Sequence, residues 1–121
     1  MATQDLQRAR VSAEDAVRSG RDNGTRVWEA RAHLARTRIL RQLDGAAARE
    51  EIAASLARAA ALIRDTEARA YAPFVEEERA RLATLLGDPR AAQQHLRDAH
   101  RVFTEVEATG HAERVAKELA S

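Results

Sequence analysis

The sequence predicts an all-α fold, and three observations support this class. The strong helix formers Ala, Arg, Glu and Leu dominate the chain, and only two prolines and five glycines interrupt it. The apolar residues are mostly Ala, Leu, Val and Ile, and a core rich in alanine needs the close backbone approach of antiparallel helices. The 121 residues, 45% hydrophobic and 32% charged, suit one compact domain.

The first three helices are delimited by residues that stop a helix. Gly24, in RDNGT, and Gly45, in LDG, can take the left-handed conformation that follows a helix C-terminus. We therefore predict helices at 4–20, 25–43 and 46–68.

The last three helices are delimited by prolines and by two further glycines. Pro73 suits a helix start, and Asp88 before Pro89 combines an N-cap acceptor with a preset φ. Gly87 marks a helix end, and Gly110 is expected to serve as the backbone hinge of the last corner. These signals predict helices at 72–86, 89–107 and 111–120.

Charged residues at i,i+4 spacing indicate the solvated faces of these helices. The spacing favours local ion pairs between a glutamate and a basic residue one turn later. The predicted pairs are Glu14–Arg18, Glu77–Arg81 and Glu113–Lys117.

The chain contains an internal repeat. At a constant offset of forty residues, the segment from Leu56 matches the segment from Leu96, and Tyr71 matches His111. A weaker copy precedes the middle one by forty-six residues. The repeat predicts a single domain, 1–121, made of a half repeat at 4–20, repeats at 25–68 and 72–107, and a closing helix at 111–120. Because the array starts within a repeat, we expect a fragment of a longer array.

The last repeat carries a recognisable pattern. In LLGDPRAAQQHLRDAHRVF, the pattern G-D-x3-A-x3-L-x2-A is formed by Gly87, Asp88, Ala92, Leu96 and Ala99. This pattern resembles the second half of a tetratricopeptide repeat (TPR), in which small residues let paired helices approach closely. The resemblance implies antiparallel helix pairs, five to six helices in all, stacked as a TPR-like right-handed superhelix. The longer spacing and the missing aromatic signature of the first repeat helix make the array divergent.

Two further segments suggest the kind of protein that contains this array. TEARAYAPFVEEERARLATLLGD and EATGHAERVAKEL look similar to the C-terminal TPR-like region of bacterial multidomain signalling ATPases and nucleotide cyclases. This similarity implies a non-catalytic module of a larger bacterial signalling or regulatory protein, with the catalytic parts outside this chain.

The TPR resemblance also implies a binding surface for a protein or peptide partner. In such arrays the ligand lies in the concave groove along the first helix of each pair. The implied partner-binding residues are Trp28, Arg31, Ala35 and Arg38 in the first pair, and Phe74, Glu77, Arg81 and Thr84 in the second. The arginines suit the carboxylates of an acidic peptide, and Trp28 suits an apolar anchor. Alternatively, Trp28 and Phe74 are core contacts between repeats.

A second hypothesis is structural self-association, which would give a homo-oligomer. It requires exposed apolar residues on the terminal repeat faces, as in repeats without capping helices. The candidate residues are Leu6, Ala13 and Val17 at one end, and Val115 and Leu119 at the other.

The sequence predicts no catalytic residue, cofactor or metal. There is no cysteine, and no nucleotide-binding or hydrolase motif occurs. His95 and His100 lie about 140° apart around one helix, and the consecutive Glu76, Glu77 and Glu78 diverge by about 100° each. We interpret His95 and His100 as solvated side chains.

The two other histidines also have structural interpretations. His33 follows Glu29 by one turn, as in an ordinary helix pair. His111 takes the place of Tyr71 in the repeat, which suits a ring that packs at a corner better than a catalytic base.

Nucleic acid and membrane are not expected partners. The 20 basic residues nearly balance the 19 acidic ones, whereas nucleic-acid modules carry a basic excess. REEIAASL echoes the first helix of a helix-turn-helix reader, but Ala57 to Ala60 continue that helix where a turn is required. No apolar run approaches the length of a membrane span, so we expect a cytoplasmic protein.

Overall fold

The computed structural model describes residues 3–22, 24–66 and 69–120, without the side chains of Thr3 and Arg69. These residues form six α-helices and two short 3-10 turns, and they contain no strand. The helices are α1 (Thr3–Asp22), α2 (Arg26–Asp44), α3 (Arg49–Thr66), α4 (Ala72–Leu85), α5 (Pro89–Glu105) and α6 (Thr109–Leu119). The all-α prediction is confirmed.

Most predicted boundaries agree with the observed ones to within two or three residues. The third helix begins later than predicted because the chain leaves Gly45 in a 3-10 turn, Gly45–Ala48, before α3 starts. A second 3-10 turn, Arg69–Tyr71, precedes α4. The predicted end of the third helix, at 68, lies outside the described residues, as does Asn23 of the first stop.

Consecutive helices pack against each other, and α2 also contacts α4. The buried apolar residues form two clusters. The first lies among α2, α3 and the start of α4 and includes Leu40, Ile52 and Leu56; the second lies among α4, α5 and α6 and includes Phe103 and Val115. Phe74 packs against both clusters, so α4 joins the two halves of the core.

Among the helix ends that the structure describes, those of α1, α4 and α5 share one hydrogen-bonded motif. At the end of α4, the N–H of Asp88 donates to the carbonyl of Ala83, and the N–H of Gly87 donates to that of Thr84. These are the two bonds of a Schellman motif, in which the residue directly after the helix C-cap takes a left-handed conformation. Gly87 has φ 74°, as a glycine readily does. The corresponding residue after α1 is Gly24, with φ 68°.

The third Schellman motif corrects the prediction for the last corner. After α5, the N–H of Ala108 donates to the carbonyl of Phe103 and that of Glu107 to Thr104, so Glu107 takes the left-handed position, with φ 60°. Gly110, the predicted hinge, lies instead in the first turn of α6. The closing helix therefore begins at Thr109 rather than at 111.

The first and last helices lack the exposed apolar residues that the self-association hypothesis requires. Leu6, Ala13 and Val17 are buried, as is Val115, and Leu119 is partly buried. The first three sit on the face of α1 that packs against α2, and Val115 belongs to the second apolar cluster. The prediction that these residues form exposed apolar faces is wrong, because the neighbouring helices already cover them.

Candidate functional site

A cleft of about 430 Å³ opens between α1, α2 and the start of α4. Four of its lining residues are alanines, whose small side chains leave space that larger residues would fill. The lining residues are Ala13 and Ala16 of α1, Trp28, Arg31, Ala32, Leu34, Ala35 and Arg38 of α2, and Tyr71 and Phe74 around the start of α4.

Trp28 is the most unusual residue of this cleft. It lies in the first turn of α2 and remains 52% exposed, although large aromatic residues are normally well covered. Among the described residues, the other large apolar side chains with comparable exposure are aliphatic: Val11, Leu85 and Leu86. An exposed indole beside a concave surface is the arrangement in which a tryptophan can anchor a partner.

Two arginines of α2 lie along the same cleft. Arg31 and Arg38 are two helical turns apart, so they share one face of the helix. The guanidinium of Arg31 lies over the ring of Tyr71, 6.0 Å from its centroid. Arg38 is more than half exposed, and its Nε lies 3.9 Å from a carboxylate oxygen of Glu78. Both cations are therefore accessible from solvent at the edge of the cleft.

The second set of predicted residues lies in different surroundings. Phe74 is partly buried and contacts Phe103 and His111 edge to face, with ring centroids 5.2 Å and 5.1 Å away. Glu77 is buried and accepts two hydrogen bonds of 2.7 Å from Arg114. Arg81 pairs with Glu118. Thr84 is exposed and donates to the carbonyl of Ala80.

The structure therefore divides the predicted partner-binding residues into two groups. Trp28, Arg31, Ala35, Arg38 and Phe74 line one cleft, whereas Glu77 and Arg81 are engaged by α6 and Thr84 lies near the end of α4. The two interpretations of Trp28 and Phe74, binding residue or core contact, apply to different residues. Phe74 is a core contact between the helix pairs, and Trp28 is exposed.

Several ion pairs join alternate helices of the chain. Arg41 of α2 donates to Glu78 of α4, and Glu77 and Arg81 of α4 pair with α6; in each case the partners are 37 residues apart. The hydrogen bonds with Glu77 raise the pKa of Arg114, and the hydrogen bond from Arg81 lowers the pKa of Glu118.

Two predicted i,i+4 ion pairs are replaced by these and similar contacts. Instead of pairing with Arg81, Glu77 binds Arg114 on a neighbouring helix. Likewise, Glu14 accepts from Arg36 of α2, 3.3 Å away, while Arg18 pairs with Asp15. In both cases tertiary packing brings a nearer partner than the one a turn away.

A polar network lies buried between α2 and α3. His33 lies with Nε2 3.2 Å from Glu29 Oε2 and Nδ1 3.3 Å from Ser55 Oγ. Arg58 donates to Glu29 at 2.9 Å, and Arg36 donates to Ser55 at 2.8 Å. His33 thus belongs to an interhelical network, beyond the ordinary helix pair that its spacing predicted.

His111 and His95 also contact other helices. His111 stacks on Phe103, with centroids 5.0 Å apart and planes 18° apart, as its predicted packing position requires. His95 is half-buried, and its Nδ1 lies 2.7 Å from Glu76 Oε2 across the α4–α5 interface. The interpretation of His95 as a solvated side chain is therefore wrong, because α4 supplies a carboxylate partner.

Sequence reasoning missed Tyr71 as a wall of the cleft. Its match to His111 in the repeat identified a ring at a corner, and this signal was available in the sequence. The role of Glu78 beside Arg38 and Arg41 had no comparable signal, since it depends on how α2 and α4 align.

Comparison with known proteins finds no family model, curated protein or solved structure that matches this chain. Among the described residues, no helix combines the length and the apolar character needed to cross a membrane.

Proposed function

We propose that this chain is a non-catalytic interaction module that binds an acidic peptide segment of a partner protein in the cleft beside Trp28. The observation that carries the proposal is the exposed Trp28 at the edge of a cleft of about 430 Å³. A tryptophan in this position presents a large rigid apolar surface whose burial by a partner is favourable.

The charges around the cleft favour an acidic occupant. Within the described residues, no carboxylate lies within ion-pair distance of Arg31, and Arg38 lies only at the outer limit of such a distance from Glu78. Each guanidinium can therefore donate two parallel hydrogen bonds to one carboxylate of the peptide. A segment that carries one apolar side chain and acidic residues spaced along α2 would use the indole and both cations together.

A TPR-like stacking of the helices is part of the proposal. It is supported by the α4–α5 pair, where Ala80, Ala92 and Ala99 are buried and Gly87–Asp88 forms the connecting turn. The ion pairs from α2 to α4 and from α4 to α6 also support it, because alternate helices of such an array lie side by side. In this arrangement α2 is the first helix of a pair, and its cleft lies on the inner surface. The resemblance extends the proposal to a larger bacterial signalling or regulatory protein as the natural context.

A displayed library of random peptides, followed by titration of the enriched peptides, tests the function. We expect the enriched sequences to combine Asp or Glu with an aromatic or aliphatic residue. Because Trp28 is the single tryptophan of the chain, its fluorescence reports binding at the cleft itself. Replacing Arg31 and Arg38 together by Glu should weaken binding by roughly tenfold or more.

The matched control is Arg97→Glu, which makes the same charge change at an exposed position of α5 outside the cleft. It should leave the affinity within about twofold, because a distant exposed charge is largely screened. Enriched peptides without acidic residues, or equal loss of binding in the control, would overturn the assignment of an acidic ligand to this cleft.

A further inference from the structure

Three side chains that can bind a metal ion converge where α4 meets α5. Glu76 of α4 faces His95 and Asp98 of α5, and one ligand atom from each lies within 4.8 Å of the other two. All three residues are half-buried. Neither helix supplies this set alone, since it arises only where the two helices pair.

The spacing on α5 explains why two of the ligands share a face. His95 and Asp98 are three residues apart, and residues at this separation lie above one another on a helix. Glu76 reaches the same point from the opposite helix and already contacts His95, with Oε2 2.7 Å from Nδ1. An i,i+3 pair on one helix facing a carboxylate on the next is a common way to build metal sites inside helix bundles.

The surrounding backbone holds these residues on fixed elements. Asp88 caps α5 by accepting a hydrogen bond from the N–H of Ala91, and Gly87 fixes the turn from α4. Ala80 and Ala99 are almost completely buried, so the two helices lie close together. Zinc–nitrogen and zinc–oxygen bonds are about 2.0–2.2 Å long, so two ligand atoms on one ion lie no more than about 4.4 Å apart. The ligand atoms of Glu76, His95 and Asp98 lie within 4.8 Å of one another, which is close to that limit.

The donor set selects the class of ion. One imidazole with two carboxylates suits Zn²⁺ and neighbouring first-row transition ions, whereas Ca²⁺ and Mg²⁺ prefer oxygen ligands throughout. The charged neighbours oppose binding only in part. Arg79 donates to Glu76 Oε1, not to the oxygen that faces His95, and Arg101 lies 3.9 Å from Asp98 Oδ1.

We propose that Glu76, His95 and Asp98 form a binding site for Zn²⁺ or a similar divalent transition ion that fastens α4 to α5. Water completes the coordination shell, because three protein ligands leave at least one position open. The site is independent of the peptide cleft, which lies on α1, α2 and the start of α4.

Titration of the metal-free full chain with Zn²⁺ tests the site, by calorimetry and by the visible absorption of bound Co²⁺. We expect one ion per chain and a higher thermal unfolding midpoint in its presence. His95→Ala and Asp98→Asn should each weaken binding by roughly tenfold or more. Circular dichroism checks that both variants remain helical, and Asp98→Asn preserves the size of the side chain.

His100→Ala is the matched control, since His100 lies on the same helix but about 140° away from His95. It should bind Zn²⁺ as the parent chain does. Absence of saturable binding, or unchanged affinity in folded His95→Ala and Asp98→Asn chains, would overturn the proposal. Arg79→Gln should tighten binding, because it removes a cation that competes for Glu76.

Discussion

His33 lies in a chain of hydrogen bonds that suits its neutral form. Arg36 donates to Ser55, the Ser55 hydroxyl can donate to Nδ1, and Nε2–H donates to Glu29. Each group then has a partner of the opposite kind, as buried polar groups require. Burial lowers the pKa of His33, and although Glu29 opposes this change, Arg21 and Arg36 add to it.

The lowered pKa predicts that the free energy of unfolding decreases as the pH falls below about 6.5. The unfolded chain binds a proton at the ordinary histidine pKa of 6.5, whereas folded His33 binds it only at lower pH. Between these values the unfolded state holds more protons, so acidification favours unfolding. Urea unfolding at pH 7.5 and 5.5 measures the effect.

The control for this prediction is His33→Gln, which keeps a donor and an acceptor but does not titrate. Its stability should depend less on pH over this interval. An equal pH dependence in the parent and the variant would show that other groups cause it.

At lower pH, protonation of Glu29 should also decrease the free energy of unfolding. Burial alone would raise its pKa, but hydrogen bonds from Arg58 and His33 outweigh this effect and lower the pKa below 4.5. The stabilisation from Glu29 is therefore present above pH 4.5 and is lost as the pH falls towards the lowered value. A second decrease in the unfolding free energy, absent in Glu29→Gln, is the expected observation.

The sequence could predict the Glu29–His33 pair from its spacing, but not its burial. Four residues on one helix always place two side chains on one face. The surroundings that make this pair a buried network come from Ser55 and Arg58 of α3, 22 and 29 residues away along the chain. Such contacts depend on helix alignment, which no local pattern encodes.

Glutamate is uncommon at the left-handed position after a helix, which Glu107 occupies at the end of α5. It has φ 60°, a conformation that places the Cβ of an L-residue too close to its own backbone. We expect Glu107→Gly to raise the free energy of unfolding by about 1 kcal/mol, partly offset by the greater freedom of the unfolded chain. Urea unfolding curves of the two chains provide the measurement.

Gly87→Ala is the reciprocal change at the end of α4. A Cβ at Gly87 would meet nothing within 4 Å, so the substitution tests the left-handed φ alone. It should lower the free energy of unfolding by about 1 kcal/mol. If both substitutions act in the same direction, the left-handed conformation does not determine their effect.

These helix ends show how far the positions of glycines in a sequence predict where helices end. Gly24, Gly45 and Gly87 are predicted to end helices, and all three have positive φ. Glycine allows this prediction because it has no Cβ and adopts positive φ in any surroundings. The sequence predicts the last corner at Gly110, whereas the left-handed residue of that corner is Glu107. At this corner, the burial of Phe103 on α5 and Val115 on α6 determines where the chain turns, and Glu107 takes the left-handed conformation there.

On the scale of the whole molecule, Phe74 connects the two apolar clusters. Replacing it by alanine should lower the free energy of unfolding by about 2–3 kcal/mol, less than for a fully buried phenylalanine because Phe74 is partly exposed. We also expect a loss of cooperativity. Trp28 fluorescence reports on the first half, and far-ultraviolet circular dichroism reports on all helices.

In the parent chain the two signals should change together, as in a two-state transition. In Phe74→Ala they should separate, whereas Val11→Ala, a change at an exposed residue, should leave them coincident. Coincident transitions in Phe74→Ala would mean that other contacts between α3 and α4 suffice to couple the halves.

The repeat predicts similar surroundings for equivalent residues of α2 and α4, but in the structure these surroundings differ. Residues of α2 face an open cleft because α1 presents only alanines there. Among the equivalent residues of α4, Glu77 and Arg81 form ion pairs with α6. A repeat pattern assigns equivalent positions to equivalent faces, but it contains no information on which neighbour occupies each face.

The ion pairs that join α4 to α6 have a consequence for local dynamics. Few residues of α6 are buried, and Glu77–Arg114 and Arg81–Glu118 provide its polar attachment. Arg114 and Arg81 are partly exposed, so added salt weakens both pairs, whereas it hardly affects the apolar contacts of α2 and α3. The amide protons of α6 should therefore exchange with deuterium faster as the ionic strength rises, while those of α3 keep their rate.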